Sequence, residues 1–167
     1  MRNHVERELA LARIAASADL RRSDADVAMI VGELVRILKR SPSGERLRFE
    51  IDGPNTETVP MDPADFRELI GNLLENAVKW ATAEIRVRWK RNEDGLRLTI
   101  SDDGPGVPEQ ELGNLTRRGW RLDMASPGSG LGLSIVREIV DVYRIGFMLR
   151  NRKADSGLEA ELLFAHT

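Results

Sequence analysis

The sequence predicts an α+β fold, a two-layer α/β sandwich in which about three helices cover one face of a mixed sheet of about five strands. Segments that alternate apolar and polar residues are interspersed with segments of helical period, without the strict strand–helix–strand rhythm of a doubly wound sheet. Turn-forming clusters such as Ser41-Pro-Ser-Gly44 and Asn92–Gly95 separate these segments. The 167 residues, 41% of them apolar, suffice for one compact domain plus an appendage.

Taken in order, residues 3–17 carry Val5, Leu9, Ala12 and Ala16 at helical spacing among charges, a narrow stripe suited to a partner helix. Ser23 is the expected N-cap of a second helix, with Asp26 at its third position. Val27, Ile30, Val31, Leu34, Ile37 and Leu38 supply its apolar face, and Ser41–Gly44 ends it. Leu47–Ile51 alternates as a half-buried strand, and a short strand is expected near Thr58-Val59. Asp62-Pro63 opens the next helix, the carboxylate capping and the proline fitting the first turn. Phe66, Leu69, Ile70, Leu73, Leu74 and Ala77 form its buried stripe. Strands Ile85–Trp89 and Leu96–Ile100 follow. Residues 107–130 lack apolar period and are expected to form a long loop of the kind kept for function. A helix over 131–144 and strands near Phe147–Asn151 and Leu158–Phe164 close the domain.

The net charge of −2 gives nucleic-acid binding no electrostatic support. Cysteine is absent, which excludes disulfides and thiolate metal sites and suits a reducing compartment. No apolar run approaches the roughly 18–20 residues of a membrane span. An opening that is already helical in pattern implies a piece of a longer protein.

Three motifs carry chemistry. On the helix after Asp62, Asn72 and Asn76 lie one turn apart on one face, flanked by Glu68 and Lys79. Magnesium takes hard oxygen ligands, and an Asn carbonyl supplies one without adding negative charge beside a triphosphate. Read alone, the same edge is equally a solvated polar face. The second motif is Asp102-Asp-Gly104-Pro-Gly106. Leu96, Leu98, Ile100 and Asp102 share a face if the strand continues, so the Asp102 carboxylate points inward and requires a donor. The third is Gly128-Ser129-Gly130-Leu131-Gly132, opening a helix whose free amides suit phosphate oxygens. Each glycine motif alone is weak; a turn or a tight helix contact would also explain it.

In this order the three motifs resemble the ATP-binding domain of sensor histidine kinases, of the GHKL superfamily, over roughly residues 45–165. The resemblance implies the Bergerat ATP-binding fold, with ATP and Mg²⁺ bound between helices under the long loop. It puts the metal ligand at Asn76, Asn72 and Lys79 near the phosphates, and Trp80 beside the adenine or ribose. Asp102 would accept from the adenine amino group, with Gly104 and Gly106 turning beneath the base. In the ATP-hydrolysing relatives, such as gyrase and HSP90, the position of Asn72 is a glutamate that activates water. An amide cannot serve as that base, so the domain is expected to spare ATP from water and deliver its phosphoryl group elsewhere. Within the loop, Arg118-Gly-Trp-Arg121 is similar to the lid of PhoQ-type kinases, where Arg121's counterpart reaches the phosphates. Ser126 replaces a second lid arginine and Ser129 a glutamine, which shifts phosphate contacts toward Arg117 or Arg118. The phenylalanine-rich box of many relatives is not recognisable.

The family's acceptor is a histidine on a dimerisation hairpin, and neither His4 nor His166 matches its pattern. The resemblance therefore divides the chain into residues 1–22, the second hairpin helix with its linker, and residues 23–167, the catalytic domain. It implies a protein-histidine kinase fragment that binds ATP without autophosphorylating. The parent is expected to be a homodimer in the bacterial inner membrane, with this domain in the cytoplasm, a response-regulator receiver domain as partner and no nucleic acid. The alternatives are a serine kinase of the anti-sigma-factor type and a degenerate nucleotide-binding regulatory module.

Overall fold

The computed structural model describes residues 24–117, 131–152 and 156–165. The expected helix over 3–17, Ser23, His4 and His166 lie outside these residues. In chain order the elements are β1 (Ala25–Asp26), α1 (Val27–Leu38), β2 (Arg48–Asp52), β3 (Thr58–Val59), α2 (Pro63–Trp80) and β4 (Glu84–Asn92). There follow β5 (Gly95–Asp102), α3 (Glu109–Leu112), α4 (Gly132–Tyr143), β6 (Gly146–Asn151) and β7 (Leu158–Ala165). The main sheet runs β2-β4-β5-β7-β6, with β2 parallel to β4 and the other pairs antiparallel. The expected mixed sheet of five strands is what forms.

Its two faces differ in chemistry. Ile85, Val87 and Trp89 of β4, Leu96, Leu98 and Ile100 of β5, and Ala160, Leu162 and Phe164 of β7 form one core with α1, α2 and α4. The alternate residues carry charge: Arg86 and Arg88 pair with Glu50, Arg97 with Glu161, and Arg150 with Glu159. Each pair joins side chains of which at least one is partly exposed, and pairs near the surface contribute at most about 1 kcal/mol each.

α2 starts as expected, with Asp62 accepting the amides of Ala64 at 2.8 Å and Asp65 at 3.4 Å and Pro63 in the first turn. Every residue of its expected stripe is buried. α1 requires a correction. Its cap is Asp26, which accepts from Met29 N at 2.8 Å, and not Ser23. Ala25 and Asp26 are extended because they pair with Val59 and Thr58, so the helix cannot begin earlier. Counted from Val27, the face toward the core takes Ile30, Val31 and Val35. Ile37 falls on the other side and is 66% exposed, while Leu34 and Leu38 are half-buried. The expected loop over 107–130 contains α3, a single turn too short to show a period.

Candidate nucleotide site

β5 continues to Asp102, so alternation delivers that side chain to the buried face, where it is 3% exposed. Two backbone amides reach its Oδ1, from Gly104 at 2.9 Å and Leu158 at 3.3 Å. Burial pushes the carboxyl above the usual aspartate range, against the pull of those amides. Asp103 faces the other way and accepts from Thr82 N at 2.8 Å and Ala83 N at 3.0 Å. Desolvation acts upward on Asp103, but the amides of Ala83, Glu84 and Thr82 outweigh it and lower its pKa. Through Asp103 the end of β5 is pinned to the chain just after α2.

The glycines show how closely the motifs approach. A Cβ at Gly104 would lie 2.4 Å from the Trp80 carbonyl oxygen, so the acidic turn sits on the C-terminal turn of α2. A Cβ at Gly132 would lie 3.2 Å from Asn72 Oδ1, so the start of α4 sits against the amide edge of the same helix. The structure thus brings the acidic turn and Gly132, the last residue of the third motif, to one helix, α2.

Asn72 is half-buried and donates from Nδ2 to the Glu68 carbonyl at 2.8 Å, turning its oxygen toward Gly132. Asn76, one turn on, is half-buried, and its side chain makes no hydrogen bond among the described residues. An amide oxygen in that position fits a magnesium ligand, and no group of three or more His, Cys, Asp or Glu able to hold a metal occurs among the described residues. The ammonium of Lys79 lies 4.9 Å from the Trp80 ring centroid, so the two residues expected at different parts of a nucleotide meet each other here. Leu131 accepts from Ser134 Oγ at 2.8 Å and from Ile135 N at 2.9 Å, closing the first turn of α4. Gly106 has φ +72°, a left-handed turn that glycine permits. Arg117 is exposed and donates to Asn114 Oδ1 at 3.1 Å. Arg118, Arg121, Ser126, Gly128, Ser129 and Gly130 lie outside the described residues.

Sequence reasoning missed two groups. Behind the acidic turn, Asn151, Arg152, Ser156 and Gly157 hold residues 102–107. Gly157, just before a clear strand, was the available signal. At the far end of α2, Tyr143 donates its hydroxyl to Asp65 Oδ2 at 2.5 Å, with Asp65 only 2% exposed. Burial, and then the Asp65 carboxylate, holds the Tyr143 hydroxyl well above the ordinary phenol range. Asp65 stands four residues before Leu69 on the buried stripe, which is the spacing that could have revealed it.

Comparison with known proteins follows the same outline. Residues 61–163 match the family described as histidine kinase-, DNA gyrase B- and HSP90-like ATPases. The sensor protein kinase CarS of Pseudomonas aeruginosa is 40% identical over 98 residues, covering 59% of this chain and 22% of CarS. The two-component sensor PhoQ of the same organism is 33% identical over 117 residues, covering 70% of this chain and 26% of PhoQ. The chain thus spans about a quarter of the length of these relatives. Among solved structures, the mycobacterial sensor histidine kinase MprB superposes with a TM-score of 0.77 at 25% identity, covering 87% of this chain and 97% of that one.

Proposed function

The chain belongs to the histidine kinase-, DNA gyrase B- and HSP90-like ATPase family, as an ATP-binding domain of the sensor-kinase type, and from that premise we propose its chemistry. The domain transfers the γ-phosphoryl group of ATP to a histidine on a dimerisation helix, for onward transfer to an aspartate of a response regulator. Its parent is a homodimeric receptor of the bacterial inner membrane that holds this domain in the cytoplasm. The observation that carries the reading is the meeting of an inward carboxylate, a pair of amides and a glycine-opened helix on α2.

In this reading Asp102 accepts from the exocyclic amine of adenine, and Gly104 lets the turn beneath the base pack against the Trp80 carbonyl. The oxygen of Asn76 holds magnesium, while Asn72 and the amides opening α4 stand near the phosphates, joined by Arg121 and the glycines before Leu131. Magnesium, when bound, supplies charge neutralisation for the phosphates. An amide at position 72 takes no proton from water, so ATP is kept for the protein acceptor. The protein's contribution is then positioning, which suits phosphoryl transfer.

Calorimetric titration with AMPPNP, with and without Mg²⁺, tests the site. Magnesium-dependent binding that both Asp102→Asn and Asn76→Ala weaken is expected; a folded wild-type chain that binds no AMPPNP would overturn the reading. The acceptor is tested in the full-length protein with γ-labelled ATP. Acid-labile, base-stable label marks phosphohistidine, whereas acid-stable label would favour a serine kinase.

A further inference from the structure

Beneath the acidic turn lies a clamp built from the β6–β7 hairpin. Asn151, the last residue of β6, is half-buried and engages both backbone groups of Val107. Its Oδ1 accepts from Val107 N at 2.9 Å, and its Nδ2 donates to the Val107 carbonyl at 2.6 Å. The side chain therefore does for Val107 what a neighbouring strand would do, at a point where none of the described strands pairs with it. Gly106 is shaped by the same contact. A Cβ there would lie 2.8 Å from Asn151 Oδ1, so the amide occupies the space that the missing side chain leaves.

The clamp continues to the carboxylate. Asn151 pairs with Leu158 in the β6–β7 ladder, and Leu158 N donates to Asp102 Oδ1 at 3.3 Å. Arg152 Nη1 donates to the Asp102 carbonyl at 3.1 Å, and Ser156 Oγ donates to the Gly104 carbonyl. Gly157, at φ +123°, passes so close that a Cβ would stand 2.0 Å from the Asp102 carbonyl oxygen. Residues 102–107 are thus held from behind by one hairpin, and Asn151 is the side chain that fixes their exit.

We propose that Asn151 is a positioning residue for base recognition: by closing both backbone groups of Val107 it seats the 104–107 turn and sets the aim of Asp102. The inference rests on the reading of Asp102 as the acceptor for an adenine amine. Asn151 touches no nucleotide in this account and acts through Val107 and the turn. Its signature is therefore a change in base selectivity, since inosine carries a carbonyl where adenine carries the amine. Loss of fold stability alone would weaken all nucleotides alike.

The experiment measures ATP and ITP affinities, in magnesium, for the wild-type chain, Asn151→Ala and the near-isosteric Asn151→Asp, with thermal unfolding as control. Wild type is expected to prefer ATP by about tenfold or more, the cost of leaving a buried polar group unpaired. Asn151→Ala should reduce ATP affinity by about tenfold with little change for ITP, so that the preference collapses. Asn151→Asp keeps the acceptor for Val107 N but loses the donor, and should also narrow the preference. Hydrogen exchange without nucleotide gives a second reading, in which the Val107 amide loses protection in Asn151→Ala. Equal weakening of ATP and ITP, or an unchanged preference with Val107 still protected, would overturn the role of Asn151 and leave Asp102 standing. A wild-type chain that does not prefer ATP would remove the reading of Asp102, and this inference with it.

Discussion

The two halves of α2 are built for different tasks. The first, from Pro63 to Ile70, is fixed by its cap at Asp62, by Phe66 and Leu69 at 0% exposure, and by the hydroxyl of Tyr143 on Asp65. The carboxylates of Asp62 and Asp65 are spent within the fold. The second, from Asn72 to Trp80, presents an amide without a partner among the described residues, a cation over an indole, and two glycine contacts. One helix thus anchors at its start and presents at its end. The lesson is that polar residues on a buried helix are read by whether the fold consumes their hydrogen bonds.

Substitutions should separate the halves. Phe66→Ala is expected to be the largest effect, a loss of about 3–5 kcal/mol in denaturant-measured stability, because Phe66 is fully buried and its ring lies 6.0 Å from that of Phe164. Asp102→Asn, beside the second half, should cost about 2 kcal/mol of ATP affinity by calorimetry while leaving stability nearly unchanged, since a charge-assisted acceptor is lost and a buried charge relieved. Tyr143→Phe should do the reverse, costing roughly 1–2 kcal/mol of stability by leaving Asp65 a buried acceptor short of its donor, with ATP affinity intact. The smallest effect is expected for Gly132→Ala, whose Cβ would press on Asn72 at 3.2 Å and shift nucleotide affinity only a few-fold.

The dependence on pH sharpens the same contrast. The folded pKa of Asp102 is raised by burial, so its protonated form is favoured in the fold. Its contribution to stability is therefore fully present below the unfolded pKa and is lost as pH rises through the folded one. Base recognition has the opposite sign, because the charged carboxylate is the better acceptor. Nucleotide affinity should weaken on acidification already above the usual aspartate range, and Asp102→Asn should flatten that profile. An identical profile in the variant would assign the titration to another group.

Much of this was legible in the sequence because it is local. The cap at Asp62-Pro63, the stripe of α2 and the inward parity of Asp102 follow from spacing alone. Val35 and Ile37 lie at opposite edges of the apolar stripe of α1, and which edge turns to the core is decided by packing against the rest of the fold rather than by the period. Asp65 with Tyr143, and Val107 with Asn151, join residues 78 and 44 positions apart, and no periodicity in either segment encodes the other. The glycines could be read as permissive, but what each makes room for, the Trp80 carbonyl or the Asn72 oxygen, belongs to tertiary packing.

The most direct measurement is amide chemical-shift mapping as AMPPNP and magnesium are added to the wild-type chain. The account predicts shifts in residues 72–83, 102–107 and 131–132, with Asp65, Phe66 and Tyr143 nearly silent. Shifts concentrated on the first half of α2, or none in a folded chain, would contradict it.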